Sequence, residues 1–238
     1  MKRNCPVFLL ALFFTVTACM PRATVDPAPP PATEPAPIAE TQISTLGSST
    51  ELAQPSLQNQ YTNSAFGLSF EFPSNWFGPE EYVSDQTLRV EVGSDVVYPY
   101  GEPPEQPSGV RNSYNIVIQF SGNDQNPYWN ETYQSLANLQ DGESLSGARG
   151  RIIRVRQLDL GRFKGFEYIA TLSETAQTQP VYGREVILID EENYVLTIFG
   201  NPNNVEVSTD ADWRDVYRMI DEANLTIFRQ IVESLKVE

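Results

Sequence analysis

The sequence predicts an α+β domain, a central antiparallel sheet flanked by helices, and two observations carry that expectation. Residues 61–238 hold several short runs of alternating or β-rich character, parted by turn residues, as antiparallel strands do. One long run with helical spacing then closes the chain, its apolar positions running from Trp213 to Leu235. Mostly antiparallel strands with a late helix point to an α+β sheet flanked by helices.

The chain opens with a secretory signal. Lys2 and Arg3 give a basic start, Val7 to Val16 an apolar stretch too short to span a bilayer, and Val16-Thr17-Ala18 small residues before a cut. Cys19 stands directly behind them, and the arrangement resembles a bacterial lipoprotein signal. The resemblance implies a signal peptide over 1–18 and a diacylglycerol on the Cys19 thiol. It also implies a fatty acid such as palmitate on the new amino end, and an extracytoplasmic protein held to the cell membrane or outer membrane by lipid. One acyl chain attaches only reversibly, at about 0.8 kcal/mol per buried methylene, whereas two or three anchor stably. Met20 follows, not the Asp that retains some lipoproteins in the inner membrane, which points to the outer one in a two-membrane host.

Residues 19–60 read as a tether. Seven prolines between Pro21 and Pro37 precede a Ser/Thr/Gln-rich run with no hydrophobic period, so burial offsets none of the ordering entropy. The proline half is stiff at about 3.1 Å per residue, and the whole spaces the globular part from the membrane by on the order of 50 Å.

Residues 61–238 read as one globular domain. Phe66-Gly67-Leu68-Ser69-Phe70-Glu71-Phe72 alternates with period two, Pro73 ends it, and Trp76 is expected to pack back onto it. Further strands are expected at Leu88–Val92, Asn115–Phe120, Ile152–Leu160, Phe166–Leu172, Arg184–Ile189 and Tyr194–Phe199. The last is apolar on both faces and belongs in the middle of the sheet. Tyr98 to Asn112 reads as a long loop with four prolines, of the length that is often functional. A first helix is expected over Tyr128–Leu139. A second starts near Thr209-Asp210-Ala211-Asp212, and Asn224 is a candidate break.

Composition excludes more than it assigns. The formal charge is -15, and the first 18 residues carry two cations and no acid, so removing them makes the chain more acidic still. Such a balance repels phosphate backbones, and no nucleic-acid partner is expected. Histidine is absent, and the two cysteines are Cys5, inside the signal, and Cys19. A zinc centre, a Ser-His-Asp triad and a Cys-His pair therefore have no residues to be built from. No catalytic residue, metal ligand or cofactor is assigned.

Three segments together resemble a family. They are Tyr61 with Phe66-Gly67-Leu68-Ser69-Phe70-Glu71-Phe72-Pro73-Ser74-Asn75-Trp76, then Gly165-Phe166-Glu167-Tyr168, then Ile231-Val232-Glu233-Ser234-Leu235-Lys236-Val237. In order and spacing they are similar to the PsbP-like group, which includes the extrinsic P-protein of photosystem II and the DcrB-like bacterial lipoproteins. The resemblance implies an αβα sandwich over residues 61–238 and a docking module, not a catalyst. The photosynthetic members help retain calcium and chloride, with histidines among their ligands, and this chain has none to receive that role.

The candidate contact residues fall in two places. Arg149, Arg151, Arg154, Arg156, Arg162 and Lys164 form a basic island in an acidic chain. It is read either as a docking patch for an acidic partner or as charges that protect an edge strand, with Arg154 and Arg156 on one face. Tyr98 and Tyr100 are aromatic contacts among loop prolines. Asp190-Glu191-Glu192, Gly78-Pro79-Glu80-Glu81 and Asp141-Gly142-Glu143 are read as turns. The expected function is a membrane-tethered, non-catalytic binding or assembly module for an envelope protein or complex. The alternatives are a photosystem-associated extrinsic protein and a hydrolase using carboxylates alone.

Overall fold

In the computed structural model, residues 56–102, 109–122, 127–147, 150–171 and 182–238 are described. The expected signal, Cys19, Arg149 and most of the expected tether lie outside them.

Strand β1 covers Leu57–Asn63 and β2 covers Leu68–Pro73. The chain continues through β3 (Phe77–Ser84), β4 (Thr87–Gly93) and β5 (Ser113–Ser121) to helix α1 (Pro127–Ala137). Strands β6 (Ser144–Gly147), β7 (Gly150–Leu160), β8 (Phe163–Thr171), β9 (Tyr182–Ile189) and β10 (Val195–Asn203) follow. Helix α2 (Trp213–Ser234) and the short β11 (Lys236–Val237) end the chain. Eight strands make one antiparallel sheet in the order β3-β4-β5-β10-β9-β8-β7-β6, and β1-β2-β11 make a second, smaller one.

This architecture corrects the expected fold class. Half of the described residues lie in strands and a fifth in two helices, so the protein is mostly sheet and not a helix-flanked α+β sandwich. Four strands escaped the sequence reading: β1, β3, β6 and β11. The reason is physical. Seven of the eight residues of β3 are exposed, as are three of the four in β6, so no buried face imposes an alternation. Gly78-Pro79-Glu80-Glu81 is accordingly part of edge strand β3, not a turn. Pro79 and two glutamates on an edge discourage pairing with other chains.

Alternation does place the core. Leu88, Val90 and Val92 of β4 and Ile116, Ile118 and Phe120 of β5 bury one face of the large sheet. Phe228, Ile231 and Val232 of α2, with Leu68, Phe70 and Phe72 of β2, belong to the same cluster. Trp76 is buried there too, its N–H donating to the Pro73 carbonyl at 3.1 Å. The opposite face carries a smaller cluster, in which Leu136 of α1 meets Phe166, Tyr168 and Ile187. Strand β10 is central, between β5 and β9, and Val195–Ile198 are buried on both faces.

Helix α2 is a single helix. Asp212, not Thr209, caps it by accepting the Arg214 N–H at 2.9 Å. Asn224 does not break it, because its amide donates to the Ile220 carbonyl at 2.8 Å and so turns back onto the preceding turn. The acidic turn after β9 is internally bonded. Asp190 Oδ1 accepts the Glu192 and Tyr194 N–H groups at 2.9 and 2.8 Å, and Asn193 takes the left-handed conformation.

Candidate functional site

Strand β4 turns Leu88, Val90 and Val92 into the core, so Arg89 and Glu91 stand on the other face. There Arg89 Nη2 meets Glu91 Oε2 at 2.7 Å, and the Asn115 amide of β5 donates to Glu91 Oε1 at 3.0 Å. The three planar side chains form a locked row. Gly93 makes room for it, since a Cβ there would collide with the Asn115 side chain. Asn115 is 9% exposed, yet its Oδ1 accepts no hydrogen bond among the described residues.

This row is part of the lining of a cavity of 340 Å³. Tyr98, Tyr100 and Glu102 line it from the β4–β5 connection, Asn203 and Asn204 from the end of β10. Asp95 is 2% exposed. Its Oδ1 accepts the Val96 N–H at 2.7 Å and its Oδ2 the Asn204 amide at 3.1 Å. Tyr100 packs against Tyr82 with ring centroids 4.8 Å apart, and the Arg89 guanidinium lies 4.8 Å from its ring centre. Both buried or half-buried acids of the cavity thus hold protein donors, so the arrangement suits binding better than proton transfer.

A second polar group lies beneath α2. Arg184 Nη1 meets Glu167 Oε1 and its Nη2 meets Asp221 Oδ2, each at 2.6 Å, with all three side chains at least 95% buried. Tyr114 donates to Asp221 Oδ1 at 2.9 Å. Gly200 is required beside it, because a Cβ would overlap the Tyr114 hydroxyl and the Phe228 ring. Arg229 of α2 and Arg156 of β7 also donate to Glu167. Burial alone raises the Glu167 pKa, but bonds from Arg229 and Arg156 and the Arg184 charge outweigh it, and the net shift is downward. Burial, then the Asp221 charge, push the Tyr114 phenol well above its ordinary value. None of these groups lines the Tyr98 cavity. On the opposite face Tyr168 donates to Glu185, and burial raises the pKa of both.

The sequence-selected cations are dispersed. A bulge in β7 sets Arg154 opposite Tyr168 but Arg156 opposite Glu167, so the two arginines occupy opposite faces and not one. Arg154 Nη1 donates to the Leu136 and Leu139 carbonyls at 3.2 and 2.5 Å, its Nε to Asp141 at 2.8 Å, and its guanidinium covers the Phe166 ring. It caps the C-terminal end of α1. Arg156 is tied to Glu167 at 2.5 Å and to Glu233 at 3.4 Å. Arg162 pairs with Asp190 at 3.3 Å, Lys164 with Asp159 at 3.8 Å, and Arg151 donates to Ser144. Tyr98 and Tyr100, in contrast, share one cavity. Arg89, Glu91, Asp95, Asn115, Asn203 and Asn204 were missed. Arg89 and Glu91 were legible as the polar face of a strand, but their pairing with Asn115 was not.

Among the described residues no group of three His, Cys, Asp or Glu side chains is placed to hold a metal ion. No described helix is long and apolar enough to cross a membrane. The chain matches no family model and no curated protein.

Proposed function

We propose that this protein is a lipid-anchored extracytoplasmic binding module that docks on an envelope protein through the β3 edge and the β4–β5 connection. The observation that carries the reading is a concentration of exposed apolar side chains. Six of the ten large hydrophobic residues most exposed among the described residues lie there: Phe77, Tyr82, Val83, Val96, Val110 and Tyr100, the last at 59%. Apolar and aromatic surface of this kind gains from burial against a partner, and Tyr and Phe are the residues enriched at such contacts. The anchor rests on Lys2, Arg3, the apolar stretch and Cys19.

Docking here is driven by apolar contact and not by a cationic island, because Arg154 and Arg156 are committed to α1 and to Glu167. A photocrosslinking residue at Tyr100 or Val83 in intact cells is expected to trap one reproducible protein partner. The same residue at Met219, 65% exposed on α2, is expected to trap none. Equal capture at all three positions, or none, counts against the surface. Fatty-acid labelling that persists in Cys19→Ala counts against the anchor.

A further inference from the structure

We infer that the cavity between strands β6–β9 and the start of α2 is a binding site for a phosphate group on a small soluble molecule. It shares no residue with the docking surface and does not depend on it. Its floor is one row of side chains across four strands. Ser146 of β6 pairs with Arg151 of β7, Arg151 with Thr171 of β8, and Thr171 with Tyr182 of β9, so all four share a face of the large sheet. Arg214 and Arg218, one turn apart on α2, line it from the other side, and the space measures 450 Å³, within the range of small-molecule sites.

Tyr182 supplies the feature that points to a ligand. The residue is 8% exposed, yet its hydroxyl has no hydrogen-bond partner among the described residues and is not sealed from solvent. Tyr182 lines the cavity, so this free donor opens into it. Arg151 meets no carboxylate among the described residues; its Nη2 donates to Ser144 Oγ at 2.8 Å, and the rest of the guanidinium is uncommitted. Asp215 is the one acid among the lining residues, and it already accepts from Arg218 at 2.9 Å. Asp212 and Glu222 do not line the cavity and approach Arg214 and Arg218 only at 3.5 and 3.7 Å.

The excess of donors selects the ligand. Three guanidiniums and the hydroxyls of Ser146, Thr171 and Tyr182 face a single carboxylate. A cation would meet the arginines, and an apolar molecule would cover their N–H groups without bonding them. An oxyanion only accepts, and its bonds to arginine are the strong, charge-assisted kind. A planar carboxylate takes donors in one plane, whereas here the sheet and α2 present them from two sides. A phosphate monoester has three acceptor oxygens and a charge of about −1.5 to −2 at pH 7, which suits that arrangement. The acidity that repels a nucleic-acid backbone acts along a long polyanion, while a single phosphate meets the arginines at short range.

The test is calorimetric titration of the full chain, in phosphate-free buffer and a detergent without a phosphate headgroup, with glycerol 3-phosphate, glucose 6-phosphate, inorganic phosphate and malonate. At least one phosphate compound is expected to bind saturably, more tightly than malonate, and more weakly as salt rises. Tighter binding of an ester identifies an ester as the occupant, equal affinities identify free phosphate, and either supports the site. Tyr182→Phe and Arg151→Gln are each expected to weaken binding about tenfold or more. The Tyr182 hydroxyl holds nothing within the protein, so Tyr182→Phe keeps the melting temperature and separates lost binding from misfolding. Arg162→Gln, outside the cavity, is expected to leave the affinity unchanged. No saturable phosphate binding, malonate bound as tightly, or phosphate binding that both Tyr182→Phe and Arg151→Gln leave intact overturns the inference. Crosslinks from Tyr100 to a protein partner would survive each of those outcomes, so the two proposals fail separately.

Discussion

Arg184 Nε lies 3.1 Å from both carboxylate oxygens of Asp221, and its Nη2 lies 2.6 Å from Oδ2, with the pair sealed between β9 and α2. The same guanidinium reaches Glu167 of β8 through Nη1. One side chain therefore joins two strands of the large sheet to the helix that covers them. A charge pair this deep repays its desolvation only when every member is bonded. Losing one partner strands the others.

Asp221→Ala is accordingly expected to cost about 3–5 kcal/mol, since it leaves the buried Arg184 Nε and Nη2 without acceptors, with Glu167 alone on that guanidinium, and Tyr114 without its acceptor. Urea unfolding measures it. A loss below about 1 kcal/mol would mean that water or a rearranged Glu167 replaces the carboxylate.

The acid limb of stability is expected to follow Glu167. Its native pKa is lowered, so below about pH 4.3 the unfolded chain binds the proton more readily than the native one. The stabilisation is present above the unfolded value and disappears as pH falls through the native one. Glu167→Gln should be less stable than wild type at pH 7, and the gap in melting temperature should close toward pH 3. A gap that stays constant with pH would remove Glu167 from the account.

At high pH the tyrosines act with the opposite sign. Burial, with the Asp221 charge, pushes Tyr182 up to about 12, and Tyr114 and Tyr168 are raised as well. Their neutral forms favour the native state, fully so below about pH 10, and this contribution is lost as pH rises through the native values. Tyrosinate absorbance is expected to rise in two stages, exposed rings first and buried ones together with loss of the near-ultraviolet circular dichroism. Ionisation of all eleven tyrosines in the folded protein is the contrary result.

Arg154→Ser and Arg156→Ser are each expected to destabilise by about 1–3 kcal/mol, because each removes a charge-assisted hydrogen bond from a buried acceptor, the Leu136 carbonyl for Arg154 and the Glu167 carboxylate for Arg156. The effects should add, since the bulge puts the two on opposite faces with no shared partner. Urea unfolding of both single variants and the double reads the coupling. Two near-neutral single variants would return these residues to the solvent-exposed role that their charge suggests.

Gly165→Ala is expected to destabilise by about 1–3 kcal/mol or more, since its Cβ would collide with the Ile187 carbonyl across the β8–β9 pair. Gly147→Ala meets nothing and serves as the control. Thermal melts of the two variants should separate clearly.

The sequence by itself determined the strands with a buried face, the central place of β10 and the amphipathic α2, because burial writes a period of 2 or 3.6 into the residues. It also located Tyr98 and Tyr100, since prolines mark an unusual connection. It did not reveal the edge strands. β3 and β6 bury almost nothing, so their pairing rests on backbone hydrogen bonds that leave no pattern in side chains. For that reason the balance of sheet over helix emerged only in three dimensions. The same holds for Arg154 and Arg156, which alternation puts on one face and a single bulge separates. Glu167, Arg184 and Asp221 read as ordinary charges along the chain. Only the packing of α2 on β8 and β9 brings them within hydrogen-bonding distance in a medium where an unpaired charge is costly.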